Sequence, residues 1–310
     1  MGVSVWRSTT TSWCFSLILL SITSCYLDNV AIATPRGIPA FHSNGNPIAP
    51  GEDMHGGIPM GVSNEKCDDG KTNLTIDWNG DIRDYECTIR RWDSNKNKPK
   101  GDISRSPFIE YCTENLDNPT HVCMNRAIVY DYTVPTSGAH RPLWAKYGEY
   151  RYLPKQRWLH NMEHGAAVFL YHPCADLTEI EELKEIARSC LRKHIITPFR
   201  DLPQNLPFVV LTYGCKLELP YIDAERVRNF LRENANKRDG PHSAPEWRVS
   251  RDGQFDHGLL YHAQVVSDVN DCVICPTSTF EGCPRPRPEA GEISLKDLSL
   301  LLNSLYNRQH

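Results

Sequence analysis

The stretch Ala166-Ala167-Val168-Phe169-Leu170-Tyr171, followed by Asp176-Leu177-Thr178-Glu179 and apolar residues at Ile180, Leu183, Ile186, Ala187, Cys190 and Leu191, decides the fold. A short run that is apolar throughout reads as a central strand covered on both faces. Asp176 and Glu179 then form an Asp-x-x-Glu helix start, and the apolar positions repeat at helical spacing until Pro198 blocks continuation. Downstream, Phe208–Thr212 and Lys216–Leu219 read as strands, and Asp223 caps a helix whose Val227, Phe230 and Leu231 share a face. Leu259–Val266 adds a late strand, and Leu295–Leu305 reads as a leucine-rich amphipathic helix. Upstream, Ala127–Thr133 and Tyr150–Leu153 read as further strands. Strands crowd ahead of the first helix and elements mix after it, which predicts an α+β fold with a mixed or mostly antiparallel sheet and packed helices.

Around that core, residues 126–310 form the α+β domain, and residues 67–125 form a polar, cysteine-bearing segment read as β-rich. Its hairpin signal is Asn79-Gly80, flanked by Ile76, Trp78 and Ile82. Residues 34–66 carry Pro35, Pro39, Pro47, Pro50 and Pro59 with no apolar period, so they read as a flexible lead-in. Residues 1–33 read as a signal peptide, with the apolar run Trp13–Ile22 and then the A-x-A-like Ala31-Ile32-Ala33. The apolar run is too short to cross a bilayer, and no comparable stretch follows, so the expectation is a secreted or lumenal chain without a membrane span.

Cleavage removes Cys14 and Cys25 from the twelve cysteines and leaves ten, an even number suited to an oxidising compartment. Disulfides are expected for Cys67, Cys87, Cys112, Cys123, Cys174, Cys190, Cys215, Cys272, Cys275 and Cys283, forming a stapled N-terminal extension and later bridges of unspecified connectivity. Asn73-Leu74-Thr75 is an acceptable glycosylation sequon, whereas Asn118-Pro119-Thr120 carries the excluded proline. Against 34 Lys and Arg stand 38 Asp and Glu, a net charge of -4, which excludes the global basic field of a nucleic-acid binder. The sequence holds no G-x-S-x-G, P-loop or G-x-G-x-x-G signature.

The densest constellation runs from Pro135-Thr136-Ser137-Gly138-Ala139-His140 to Trp158-Leu159-His160-Asn161-Met162-Glu163-His164-Gly165. Over about 110 residues, from near Ala127 to Asn236, the chain resembles the family of unknown function numbered 3105, with its paired P-T-S-G-x-H and H-N-x-E-H-G elements. The resemblance implies an exported domain and, for an animal group of the family, a membrane-associated protein linked to growth suppression. Its protein partners are unknown. No catalytic residues come with it. The motif positions are His140, His160, Glu163, His164 and Gly165.

Three readings of these residues stand side by side. If Trp158–His164 is helical, His160 and His164 project from one face, and His140 can add a third nitrogen, with Glu163, His172 or Met162 as further ligands for Cu or Zn. In the structural reading, the histidines donate to carbonyls or carboxylates while Glu163 pairs with Arg141 or Arg157. In the third, His160, Glu163 and His164 fit the H-x-x-E-H pattern of a metal-dependent hydrolase, although the break at Gly165 disfavours the long helix it requires. The expectation is a non-enzymatic metal-binding or interaction protein.

Elsewhere, Cys272-Val273-Ile274-Cys275 reads as two disulfide cysteines before a stapled Pro-rich spacer at 284–288. Asp77, Asn79 and Asp81, like Asp93, Asn95 and Asn97, mimic a calcium loop but lack its Gly and Glu, so both read as polar turns.

Overall fold

The computed structural model describes residues 55–92, 108–239, 242–246, 248–280 and 282–283. The signal peptide expected at 1–33, most of the expected lead-in, the Pro-rich stretch at 284–288 and the helix expected at Leu295–Leu305 lie outside the described residues.

Among the described residues, seven strands form one mixed sheet. They are β1 (Ile109–Cys112), β2 (Gly148–Tyr150), β3 (Ala167–Tyr171), β4 (His194–Pro198), β5 (Phe208–Thr212), β6 (Cys215–Leu219) and β7 (Leu259–His262), in the order β1-β6-β5-β3-β4-β2-β7. The apolar run read as central is β3, the middle strand, parallel to β4 and antiparallel to β5. Its period of two supplies both cores: Ala167 and Phe169 face one side, Val168 and Leu170 the other, and all four are fully buried.

Three helices cover these faces: α1 (Lys155–Glu163), α2 (Leu177–Cys190) and α3 (Ala224–Asn234). On one side α2 lays Ile180, Leu183, Ile186 and Ala187 beside Val227, Phe230 and Leu231 of α3. Asp176 caps α2 by accepting from the Thr178 and Glu179 amides, and Asp223 caps α3 by accepting from Arg226. On the other side α1 packs Trp158, Leu159 and Met162 against Val168, Leu170, Val209 and Leu211. Pro154 presets the entry to α1, and the helix stops at Gly165, which sits at φ 84° where a β-carbon would meet Asn236 Oδ1 at 2.7 Å.

Several expectations are corrected. Residues 67–125 are not β-rich: among the described residues they contribute the single strand β1, which joins the main sheet beside β6. At Asn79-Gly80 there is no hairpin, because the flanking residues form short 3-10 turns at Leu74–Ile76 and Ile82–Asp84. Ala127–Thr133 is not a strand; Val129 and Tyr132 are exposed, and Tyr130 is anchored by its hydroxyl donating to the Ala139 carbonyl. The expected strands Tyr150–Leu153 and Leu259–Val266 are realised as the shorter, shifted β2 and β7.

All ten expected cysteines are bridged: Cys67–Cys123, Cys87–Cys174, Cys112–Cys215, Cys190–Cys275 and Cys272–Cys283. The C-x-x-C cysteines thus pair elsewhere rather than with each other. Two bridges tie the early segment to the sheet domain, and two buried ion pairs add to them: Asp68 with Arg157 of α1 and Asp77 with Arg141.

Candidate metal centre

The exit of α1 sets the site. His160 lies in its last turn and His164 caps its C-terminus, so the i, i+4 spacing stacks both rings on one face, with centroids 4.9 Å apart. Opposite that face, the loops carrying His121 and His140 are zipped together: the Val122 amide donates to the His140 carbonyl and the His140 amide to the Thr120 carbonyl. Gly138, at φ 119°, turns the second loop back, as its place in the sequence allows. His121 and His160 stack at 4.9 Å, and His140 and His160 approach to 4.5 Å between centroids. Glu163, one helical turn from His160, brings its Oε2 to 3.1 Å from His140 Nε2.

His121, His140, His160 and Glu163 thus place one ligand atom each within 4.8 Å of one another, and each is at most 1% exposed. A tetrahedral zinc ion with bonds of 2.0–2.1 Å spaces its donors by about 3.3 Å, so the set closes on an ion with small side-chain shifts.

The hydrogen bonds select the tautomer. His121 Nδ1 faces the Ile58 carbonyl at 2.8 Å, His140 Nδ1 the Gly138 carbonyl at 2.8 Å and His160 Nδ1 the Arg141 carbonyl at 2.6 Å. A carbonyl only accepts, so each Nδ1 carries the proton, and in the neutral ring Nε2 is left as a lone pair. The Nε2 atoms of His121, His140 and His160 and both Glu163 oxygens are buried without a properly aligned hydrogen bond. In that tautomer lone pairs converge on the Glu163 carboxylate, a crowding that either a proton on a neighbouring Nε2 or a cation would relieve.

Burial holds the rings neutral. It pushes His121 down to about 4, aided by His140, pushes His164 down to about 3, and drives His160 well below the ordinary imidazole range, aided by its histidine neighbours. Burial raises the Glu163 carboxyl, and donation from His140 and His55, which the Nδ1–H tautomer withholds, is what pulls it down to about 2. These imidazoles ionise near 6.5 when unfolded and lower when folded, so the unfolded chain takes up more protons as pH falls. The metal-free protein therefore loses stability as pH drops from about 6.5 toward 4, and Glu163 adds to the loss below about 4.5. Calorimetry across that range checks this; a melting temperature constant between pH 7 and 4.5 contradicts it.

The structure brings His140, His160, Glu163 and His164 together and leaves the other proposed ligands out. Met162 is a core side chain on the sheet side of α1, and His172 stacks on Trp92 at 3.9 Å. Arg141 and Arg157 pair with Asp77 and Asp68, so neither is the partner expected for Glu163. Sequence reasoning missed His121, His55 and Glu246. His55 Nε2 lies 3.4 Å from Glu163 Oε2, and Glu246 Oε2 lies 3.4 Å from His164 Nδ1. Trp144 walls the cluster, 4.3 Å from the His164 ring. A cleft of about 900 Å³ lies elsewhere, lined by Glu149, Lys184, Arg188, His194 and Tyr261, and shares no residue with the cluster.

Fold and site together define a disulfide-bridged α+β protein with a buried histidine and glutamate cluster able to hold a metal ion. Residues 121–248 match the family described as protein of unknown function (DUF3105), a span that takes in every cluster member except His55. No curated protein and no solved structure matches the chain.

Proposed function

We propose that the protein is an exported, disulfide-bridged metal-binding protein that holds one Zn or Cu ion in the closed set His121, His140, His160 and Glu163, with His164 beside it. The observation that carries the reading is the convergence of buried Nε2 lone pairs on a buried carboxylate, each ring oriented by a carbonyl on its other nitrogen. Imidazole suits both metals, and the disulfide-bonded cysteines are withdrawn from competition. Closure supports a binding or structural role over turnover, since catalytic sites keep an open position.

Export, a glycan on the exposed Asn73 and a soluble destination belong to the same proposal, supported by the signal-like N-terminus and the bridges. No helix among the described residues is long and apolar enough to cross a membrane. The finer likeness to the animal tumour-protein-p53-inducible protein 13 group, with its link to growth suppression, rests on the paired motifs alone.

A second reading has one observation of its own: His160, His164 and Glu246 also gather within 4.8 Å, a ligand set that would leave Glu163 as base for a hydrolase. Its weakness is that Glu163 is 1% exposed and α1 spans only nine residues.

Elemental analysis of the purified protein beside its His160→Ala variant tests the proposal. About one Zn or Cu per chain in the parent and almost none in the variant is expected; equal, near-zero metal in both leaves the histidines as structural groups. Peptide hydrolysis lost in Glu163→Gln with metal retained would instead promote the second reading.

A further inference from the structure

His55 and Glu246 lie beside the inner set but outside it. Glu163 Oε2 lies between two imidazoles, 3.1 Å from His140 Nε2 and 3.4 Å from His55 Nε2. His55 Nε2 in turn lies 4.0 Å from Glu246 Oε1. His55, Glu163 and Glu246 therefore form a second set with ligand atoms within 4.8 Å, and it shares Glu163 with the first. Burial is graded across the two: the inner residues are at most 1% exposed, the His55 side chain is 6% exposed and the Glu246 side chain 20%.

Charge decides how many ions this arrangement holds. The cluster contributes two carboxylates, Glu163 and Glu246, which neutralise one divalent ion, whereas a second ion adds two positive charges with no further carboxylate to meet them. Lys193, whose ammonium donates to the His164 carbonyl at 3.0 Å, makes that excess still costlier. Overlapping sets that share Glu163 and together suit one ion fit successive positions of the same ion.

We propose that His55, Glu163 and Glu246 form an outer site through which a divalent cation enters and leaves the inner His121, His140, His160 and Glu163 site. The proposal rests on the metal-binding reading above. Glu246, at the exposed end, attracts the hydrated ion and takes the place of its first waters. His55 replaces a further water, and the Glu163 carboxylate, already held by the ion, carries it over to the three inner nitrogens. The ion is never stripped of all ligands while it crosses from solvent to a buried position.

The test is kinetic and uses metal-free full-length protein. Zinc uptake is followed by tryptophan fluorescence, with Trp144 as the nearby reporter, and release by transfer to a chromogenic chelator. In His55→Gln, which keeps the charge of the cluster, uptake and release should both slow by about tenfold, so the affinity moves less than either rate. Glu246→Gln, at the exposed end, should slow uptake by a similar factor, and circular dichroism establishes that both variants are folded. One zinc per parent chain at saturation with both variants slowed supports the proposal. One zinc with unchanged rates overturns it and leaves the metal-binding reading intact, as do two zinc ions per parent chain. No zinc in the parent overturns both.

Discussion

Metal binding as proposed implies that a chelator should lower the melting temperature of the protein by roughly 10 °C, and that adding back zinc or copper should restore it. An ion that binds the folded chain alone, at a free concentration a thousandfold above its dissociation constant, stabilises by about 4 kcal/mol. For a domain of this size each kcal/mol moves the midpoint by about 2–4 °C. The structural reason is the state of the metal-free cluster. Glu163 and the Nε2 atoms of His121, His140 and His160 are buried acceptors without aligned donors, because each ring donates its Nδ1–H to a backbone carbonyl instead. Scanning calorimetry with and without chelator checks the shift, and His160→Ala should abolish the response. A parent protein indifferent to chelation and to added metal would show that the cluster is satisfied without an ion.

The second large effect falls on Asp68. Replacing it by alanine should cost about 3–5 kcal/mol, a large part of the 5–15 kcal/mol that holds an ordinary domain together. Asp68 accepts from both terminal nitrogens of Arg157, at 2.5 Å and 3.0 Å, and from the Leu143 amide at 3.2 Å, and the two side chains are at most 1% exposed. Without the carboxylate, the Arg157 guanidinium keeps its packing over the Phe255 ring at 4.2 Å and its donation to the Leu143 carbonyl, but it stays buried with an uncompensated charge. Arg157 precedes His160 by one helical turn, so the same change should loosen the histidine cluster. Asp256→Ala, which breaks an exposed pair with Lys146, is the control and should cost under about 1 kcal/mol. Denaturant midpoints of the two variants decide the matter.

What could be read in the sequence follows from where its signals are local. β3 announced itself by an uninterrupted apolar run, and α2 and α3 by a capping aspartate followed by helical spacing. The four-residue step from His160 to His164, ended by Gly165, gave the geometry of the α1 exit. β4 escaped notice: it follows Arg192 and Lys193, starts at His194 and ends at Pro198, so its proline looked like a helix stop rather than the end of a strand. Its neighbours on both sides supply the pairing that makes it a strand. Ala127–Thr133 shows the reverse, a strand-like composition with no partner strand. In the site, the motif pointed to His140, His160, Glu163 and His164, whereas His55, His121 and Glu246 arrive from loops far away in the chain and share no period with α1. Only tertiary folding reveals them.

The bridge between Cys67 and Cys123 closes two residues away from His121. Its formation fixes the segment that must present one of the three inner nitrogens, and it does so without any help from an ion. The reduced chain lacks this covalent tether beside His121, so oxidation and the presentation of that imidazole are mechanically linked.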